Sequence, residues 1–320
     1  MTCCNCNLTC KKFGKFGPQR IQRYRCNTCK KTFSEEHEKA PRPQGPLGEM
    51  RISLDKAETC LKLMLEGMSI RSIQRITGLH QETILNLLVL AGDRCRKLMH
   101  DRIKDVAVKD VEADEIWGFC KMKKITRLHK QVTDPFVGDA YTFVGIERHT
   151  KLVLAWHLGD RDAENTEKFT EKLDHATSGH FQLTADGFFA YPQAVSYSLG
   201  TRVDFAQLIK VYRSDREGEQ KYSPPEVVET ITKSIIGMPD LRRVCTSIVE
   251  RQNLSMRTSI RRLTRLTNAF SKKWTNLEAM LSLYFCFYNF CRIHSSIRCT
   301  PAMESGLTGH VWSLRELIAA

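Results

Sequence analysis

Phe181-Gln182-Leu183-Thr184-Ala185-Asp186-Gly187 is a short β-prone run that ends on a carboxylate followed by glycine, the signature of a strand closed by a turn. Upstream, the β-prone stretch 106–111 leads into Glu112-Ala113-Asp114-Glu115-Ile116-Trp117-Gly118. Strands are expected at 141–147 and 152–158, with His149-Thr150-Lys151 as the turn, and a helix at 163–175. Downstream, a helix is expected at 189–197 and a strand at 203–212. Three strands, helix, strand, helix, strand is a layered α/β pattern.

Two acids stand out in this frame. Asp114 lies in the first strand and Asp186 ends a later one. Successive strand residues point to opposite faces, so Asp114 and Glu115 are not expected to serve one site. A third candidate is Glu250, in a segment of helical pattern over 247–266 where Val249, Met256, Ile260 and Leu263 form an apolar stripe. At 100° per residue, Glu250, Arg257 and Arg261 fall within about 40° of one another. Convergent carboxylates suit two-metal phosphodiester chemistry, and hard oxygen ligands suit Mg²⁺. Spacing alone does not separate these three from the other acids among the 36 of the chain.

The head of the chain is rich in cysteine. Cys3-x2-Cys6 and Cys26-x2-Cys29 have the spacing of a four-thiolate Zn²⁺ site, with Cys4 and Cys10 surplus. The spacer alternates basic and aromatic residues, Arg23 and Arg25 among them, and could hold DNA phosphates or only cap the next module. Residues 35–50 read as a Pro/Gly-rich linker.

Three helices follow. Ser53 and Ser69 are placed to cap the first two, Gly67 and Gly78 to end them, and the third starts near His80 and is expected to run to about Ala91. This describes a helix-turn-helix, in which Gln81, Thr83 and Asn86 would reach base edges. A plain three-helix packing unit has the same pattern.

The 320 residues carry a net charge of +13 with 42% apolar composition, so the chain is neither disordered nor fibrous. The charge is uneven: residues 1–50 and 250–320 are each net +6, and 108–212 are net −2. Basic ends imply a polyanionic partner. Thirteen cysteines without an apparent signal peptide argue against a disulfide framework. The most apolar stretch, 277–291, contains Glu278 and Asn289 and is too short to span a bilayer; no membrane association is expected.

The phrases Asp114-Glu115-Ile116-Trp117-Gly118-Phe119, Thr184-Ala185-Asp186-Gly187-Phe188-Phe189-Ala190-Tyr191 and Val249-Glu250-Arg251-Gln252-Asn253-Leu254-Ser255-Met256-Arg257 closely resemble DDE-type transposases of bacterial insertion sequences. So do Tyr288-Asn289-Phe290-Cys291-Arg292-Ile293-His294 and Gln22-Arg23-Tyr24-Arg25-Cys26-Asn27-Thr28-Cys29. The type is that of insertion sequence one, with a fused zinc ribbon and helix-turn-helix.

The resemblance implies a zinc ribbon at 1–34, the linker at 35–50 and a helix-turn-helix at 51–104. It further implies an RNase H-like α/β catalytic domain at 105–303, interrupted by an irregular insertion at 213–247, and a tail at 304–320. Asp114, Asp186 and Glu250 would hold Mg²⁺ or Mn²⁺ and Cys3, Cys6, Cys26 and Cys29 would hold Zn²⁺. The partners implied are terminal inverted repeats, target DNA and further copies of the chain, in the bacterial cytoplasm at the nucleoid. The activity implied is hydrolysis at transposon ends followed by strand transfer. A competing expectation is a zinc-containing DNA-binding transcriptional regulator with a silent α/β domain. A structure-selective ribonuclease is a third, and it leaves the helix-turn-helix unexplained.

Overall fold

The computed structural model describes all residues except 4, 18–19, 35–44, 49, 213–226 and 320, and only the backbone of Tyr212. Most of the expected linker and the first part of the expected insertion, with Pro224 and Pro225, lie outside the described residues. Two compact units result, Met1–Gly45 and Pro46–Ala320.

In the first unit, β1 (Lys11–Phe16), β2 (Ile21–Arg25) and β3 (Thr32–Ser34) form an antiparallel sheet in that order. Its interior is a knot of cysteines: Cys3, Cys10 and Cys26 are buried, and Cys6, Cys29, Tyr24 and Phe33 pack around them. So small an apolar interior needs a staple.

The second unit opens with α1 (Leu54–Leu65), α2 (Ile70–Thr77) and α3 (Gln81–Arg102). Ser53 and Ser69 cap the first two through the Lys56 and Ser72 amides, and Gly78 ends α2 at φ 68°. Next come β4 (Val106–Ala107), β5 (Asp110–Cys120), α4 (Lys124–His129), β6 (Gly138–Glu147) and β7 (Val153–Gly159). They are followed by α5 (Ala163–Ala176), β8 (Thr177–Ser178), β9 (Phe181–Asp186), α6 (Tyr191–Ser198), β10 (Val203–Tyr212) and β11 (Val227–Ile236). The chain closes with α7 (Ser247–Ser259), α8 (Trp274–Phe290), α9 (Pro301–Glu304) and α10 (Leu314–Ala319).

Helix α3 continues well beyond Ala91 because its apolar face does. Cys95, Leu98 and Met99 are buried, and the helix crosses α8 at Gly92, where a Cβ would fall 2.6 Å from Ala279. Only glycine permits that approach. Helix α10 folds back on α1 and α3, with Arg315 paired to Glu58 at 2.5 Å and to Asp55. One core therefore runs past positions 104 and 303, where the sequence suggested module boundaries.

The six-stranded sheet has the order β11-β10-β9-β5-β6-β7. β5, β6 and β7 form an antiparallel meander, β9 and β10 run parallel to β5, and β11 is antiparallel to β10. This mixed sheet with flanking helices is compatible with an RNase H-like fold. The expected irregular insertion is partly regular: β11 pairs along β10 from Phe205–Ile236 to Tyr212–Val227 and covers an edge that would otherwise be open.

Candidate functional site

The β5–β9 register pairs Asp110 with Gln182 through to Ala113 with Ala185. The next step of the same register sets Asp114 level with Asp186, the last residue of β9. The Asn253 side-chain amide donates to Asp114 at 2.8 Å, and the Phe188 amide donates to Asp186 at 2.9 Å. Gln207 steadies the turn after Asp186 by donating to the Asp186 and Phe188 carbonyls at 2.9 and 3.0 Å.

Glu250 arrives from the first turn of α7. Thr246, the N-cap residue, donates its hydroxyl to Glu250 at 2.5 Å, and Lys210 pairs with the same carboxylate. Asp114, Asp186 and Glu250 thus line one cavity of about 540 Å³, together with Arg161 and Lys210.

The oxygens of Asp114, Glu115 and Asp186 lie within 4.8 Å of one another; Glu115 does not line the cavity, and Glu250, which does, is not part of that group. The expectation that alternation would keep Glu115 away from Asp114 fails here. β9 ends at Asp186, so no further backbone divides the two faces of β5, and Glu115 reaches the same oxygens. Arg161 bridges Glu115 at 2.9 Å and Asp186 at 3.1 Å, with its guanidinium 4.0 Å from the Phe188 ring centroid. Burial, reinforced by the Asp186 charge, pushes Asp114 and Glu115 each up to about 7.

Glu112 is a site residue that the sequence alone does not single out. It is buried, and its carboxylate accepts from the Ile248 and Val249 amides at 2.8 and 3.1 Å. It therefore supplies the N-terminal cap that Thr246, committed to Glu250, does not, and it ties α7 to β5. Burial raises its carboxyl, opposed by those amides and by Arg148 at 3.8 Å. The only signal available was an acid two residues before Asp114, on the same strand face. Arg161 and Lys210 gave no signal.

Helix α7 is shorter than its periodicity suggested, because Ile260 caps it and 261–263 form a separate 3-10 turn. The calculated alignment of Glu250 with Arg261 therefore does not extend along one helix. Arg257 donates to the Leu263 and Trp117 carbonyls at 3.0 and 3.1 Å, and burial lowers it to about 10. Of the other acids between β10 and α7, Glu229 is exposed on β11, Asp240 pairs with Arg242 at 3.1 Å, and Glu226 is outside the described residues.

The expected DNA-facing residues of the helical module sit at the start of α3. Gln81 and Asn86 are exposed and Thr83 is half-buried, while Gln81 donates to Gln74 at 2.9 Å. In the N-terminal unit, Arg23 and Arg25 lie over the Phe16 and Phe13 rings at 5.8 and 5.1 Å.

The sulfurs of Cys3, Cys6, Cys26 and Cys29 lie within 4.8 Å of one another. The two knuckles are built alike. The Asn7 amide donates to the Cys3 carbonyl at 2.9 Å and the Lys30 amide to the Cys26 carbonyl at 3.0 Å, and Asn7 and Lys30 adopt φ 55° and 60°. Amides of Cys29 and Thr28 draw Cys26 down to about 6, whereas the Cys29 thiol beside Cys6 pushes it up to about 12. Four convergent sulfurs, one already favouring thiolate, fit a tetrahedral Zn²⁺.

No protein-family model and no curated protein matches the chain. Among solved structures, the piggyBac transposase synaptic complex with hairpin DNA aligns over 84% of this chain and 70% of that one, at 11% identity and a TM-score of 0.37. A likeness that slight carries no argument. No helix among the described residues is long and apolar enough to cross a membrane.

Proposed function

We propose that the protein is a DNA transposase that cuts phosphodiester bonds at element ends and joins the freed ends to target DNA. The observation that carries this reading is the cavity where Asp114, Asp186 and Glu250 converge from two parallel strands and a helix N-terminus. Asp114, Asp186 and Glu250 would hold Mg²⁺ or Mn²⁺, with Glu115 beside them. Such ions supply an activated water or 3′-hydroxyl and charge neutralisation at the phosphorus. The chain's own residues do the rest: Asn253 orients Asp114, Thr246 orients Glu250, and Glu112 holds α7 at its station. Arg161 and Lys210 balance the carboxylates when no cation is bound.

Cys3, Cys6, Cys26 and Cys29 would hold Zn²⁺, which gives the N-terminal unit the core its size denies it. Arg23 and Arg25, with Gln81, Thr83 and Asn86, are the proposed DNA contacts outside the cavity, and Arg261, in the turn after α7, is a further proposed phosphate contact. Bringing two ends together would take more than one copy of the chain.

The test is Asp186→Asn, assayed on duplexes bearing the inverted repeats that flank the coding region, with Mg²⁺ against EDTA. Cleavage is expected to vanish while end binding persists; normal cleavage would sink the proposal. A second reading, a DNA-binding regulator with a silent α/β domain, draws support from Arg161 and Lys210, which already occupy Asp186, Glu115 and Glu250. It predicts repeat binding with no Mg²⁺-dependent cleavage by the unaltered protein.

A further inference from the structure

A second cavity, of about 360 Å³, opens between the C-terminal half of β5 and the turn that follows α7. Its aromatic wall is a run of three rings, Trp117 to Phe119 at 5.6 Å and Phe119 to Phe270 at 4.6 Å. Four cations, Lys123, Arg257, Arg262 and Arg265, also line it among neutral residues, and no carboxylate is found among its described lining residues.

Arg262 is the unexplained member. Its Nε is buried without a hydrogen-bond partner, and no ion pair to it exists among the described residues. Burial lowers it to about 10. Arg262 as a whole is half-buried, but a buried N–H without a partner is costly, and an anionic ligand would relieve that cost by accepting from Nε.

The cavity floor depends on Gly118, where a Cβ would come within 2.9 Å of Leu263. At the rim, Leu266 is held at φ 57° and is 86% exposed. Left-handed backbone at a bulky residue is uncommon, and here it presents an apolar side chain of the kind that wedges between base steps.

Trp117 is three strand residues beyond Asp114, about 10 Å, and Arg257 is seven helix residues beyond Glu250, also about 10 Å. Arg257 lies on the Glu250 face of α7, so that wall leads from one cavity towards the other, whereas Trp117, an odd number of residues from Asp114, opens on the opposite face of β5. The separation equals about three stacked steps along a DNA strand.

We propose that this cavity receives one unstacked DNA nucleotide near the scissile phosphate, its base against Trp117, Phe119 and Phe270 and its phosphate against Arg262. Aromatic stacking accepts any base, and unstacking is easiest where the strand is already unpaired. The proposal rests on the DNA-cutting reading above and names how that site grips its strand.

The test is fluorescence-polarisation binding of the full-length protein, in EDTA, to a labelled oligothymidylate and to a blunt duplex of equal length. Trp117→Ala is expected to weaken oligothymidylate binding by about tenfold or more, as loss of one stacked base should, and to change duplex binding by less than about twofold. Trp117→Phe should restore most of the affinity. Arg262→Met should weaken oligothymidylate binding and lower its salt slope by about 0.7.

Equal losses on both probes, or no loss on either, would overturn the proposal. If Trp117→Ala does not fold, as judged by thermal melting, Phe270→Leu provides the same discrimination from the other end of the ring run. Because binding is read without metal, the two readings fail separately. Ring-dependent binding without Mg²⁺-dependent cleavage defeats only the catalytic reading, and cleavage with ring-independent binding defeats only this one.

Discussion

The four-thiol cluster and the three-carboxylate cluster, with Glu250 on the adjoining cavity wall, are assembled in opposite ways. Cys3, Cys6, Cys26 and Cys29 span 27 residues and meet through two similar local turns on a three-stranded sheet. Asp114, Glu115, Asp186 and Glu250 span more than a hundred residues and meet only because β5 and β9 are neighbours and α7 is tied to β5. A local cluster makes its fold depend on the ligand, whereas a convergent one makes the ligand depend on the fold.

The largest effect expected from this contrast is on zinc. A strong chelator, or Cys26→Ser, should remove one Zn²⁺ per chain and unfold the three-stranded N-terminal sheet, a loss on the scale of about 10 kcal/mol or more for a structural site. Amide NMR signals of that unit should collapse while those of 46–320 persist; an ordered metal-free N-terminal unit would break the comparison. Removing Mg²⁺ should leave both units folded.

Next in size is the carboxylate chemistry. Asp186→Asn and Glu250→Gln should each reduce cleavage by about a thousandfold or more, the scale on which electrostatic stabilisation of a transition state acts. Glu115→Gln should cost less, because Glu115 is buried against Arg161 and does not line the cavity. An equal loss for Glu115→Gln, with Glu250→Gln tolerated, would replace Glu250 by Glu115 as the third ligand.

A smaller effect belongs to Glu112. Glu112→Ala should destabilise the second unit by about 2 kcal/mol, the upper range for a lost helix cap, as measured by denaturant unfolding. No change in the midpoint would show that α7 is held by packing alone.

The smallest is the pH response. Asp114 and Glu115 are raised to about 7 by burial and by the Asp186 charge, so protons compete with the cation below that pH. Apparent Mg²⁺ affinity should weaken by about tenfold per pH unit below 7 if one proton is displaced. Folded values above the unfolded ones, near 4, also mean that the metal-free protein loses stability as pH rises from about 4 to about 7. Thermal melting with and without Mg²⁺ at pH 6 and pH 8 reads both effects, and Mg²⁺ should protect more at pH 8. Equal protection would remove the proton competition.

Much of the fold was legible because it is written in local periodicity. The strand at 203–212 and the ending of β9 on Asp186 lie where the pattern placed them, as do the caps Ser53 and Ser69. The strand β11 was hidden by the prolines before and after it, Pro225 and Pro239, which read as irregular chain. The length of α7 was overestimated because Ile260 and Leu263 keep a helical spacing while the backbone between them turns.

Residue by residue, the chain determined its cysteine knuckles, its helix starts and the carriers of its carboxylates, since each depends on neighbours a few positions away. Only the tertiary structure decided that Glu115 joins Asp114, that Glu112 caps a helix 136 positions downstream, and that Arg161 and Lys210 stand over the acids. Those relations depend on where strands end and which elements are neighbours, and no spacing within the chain records them.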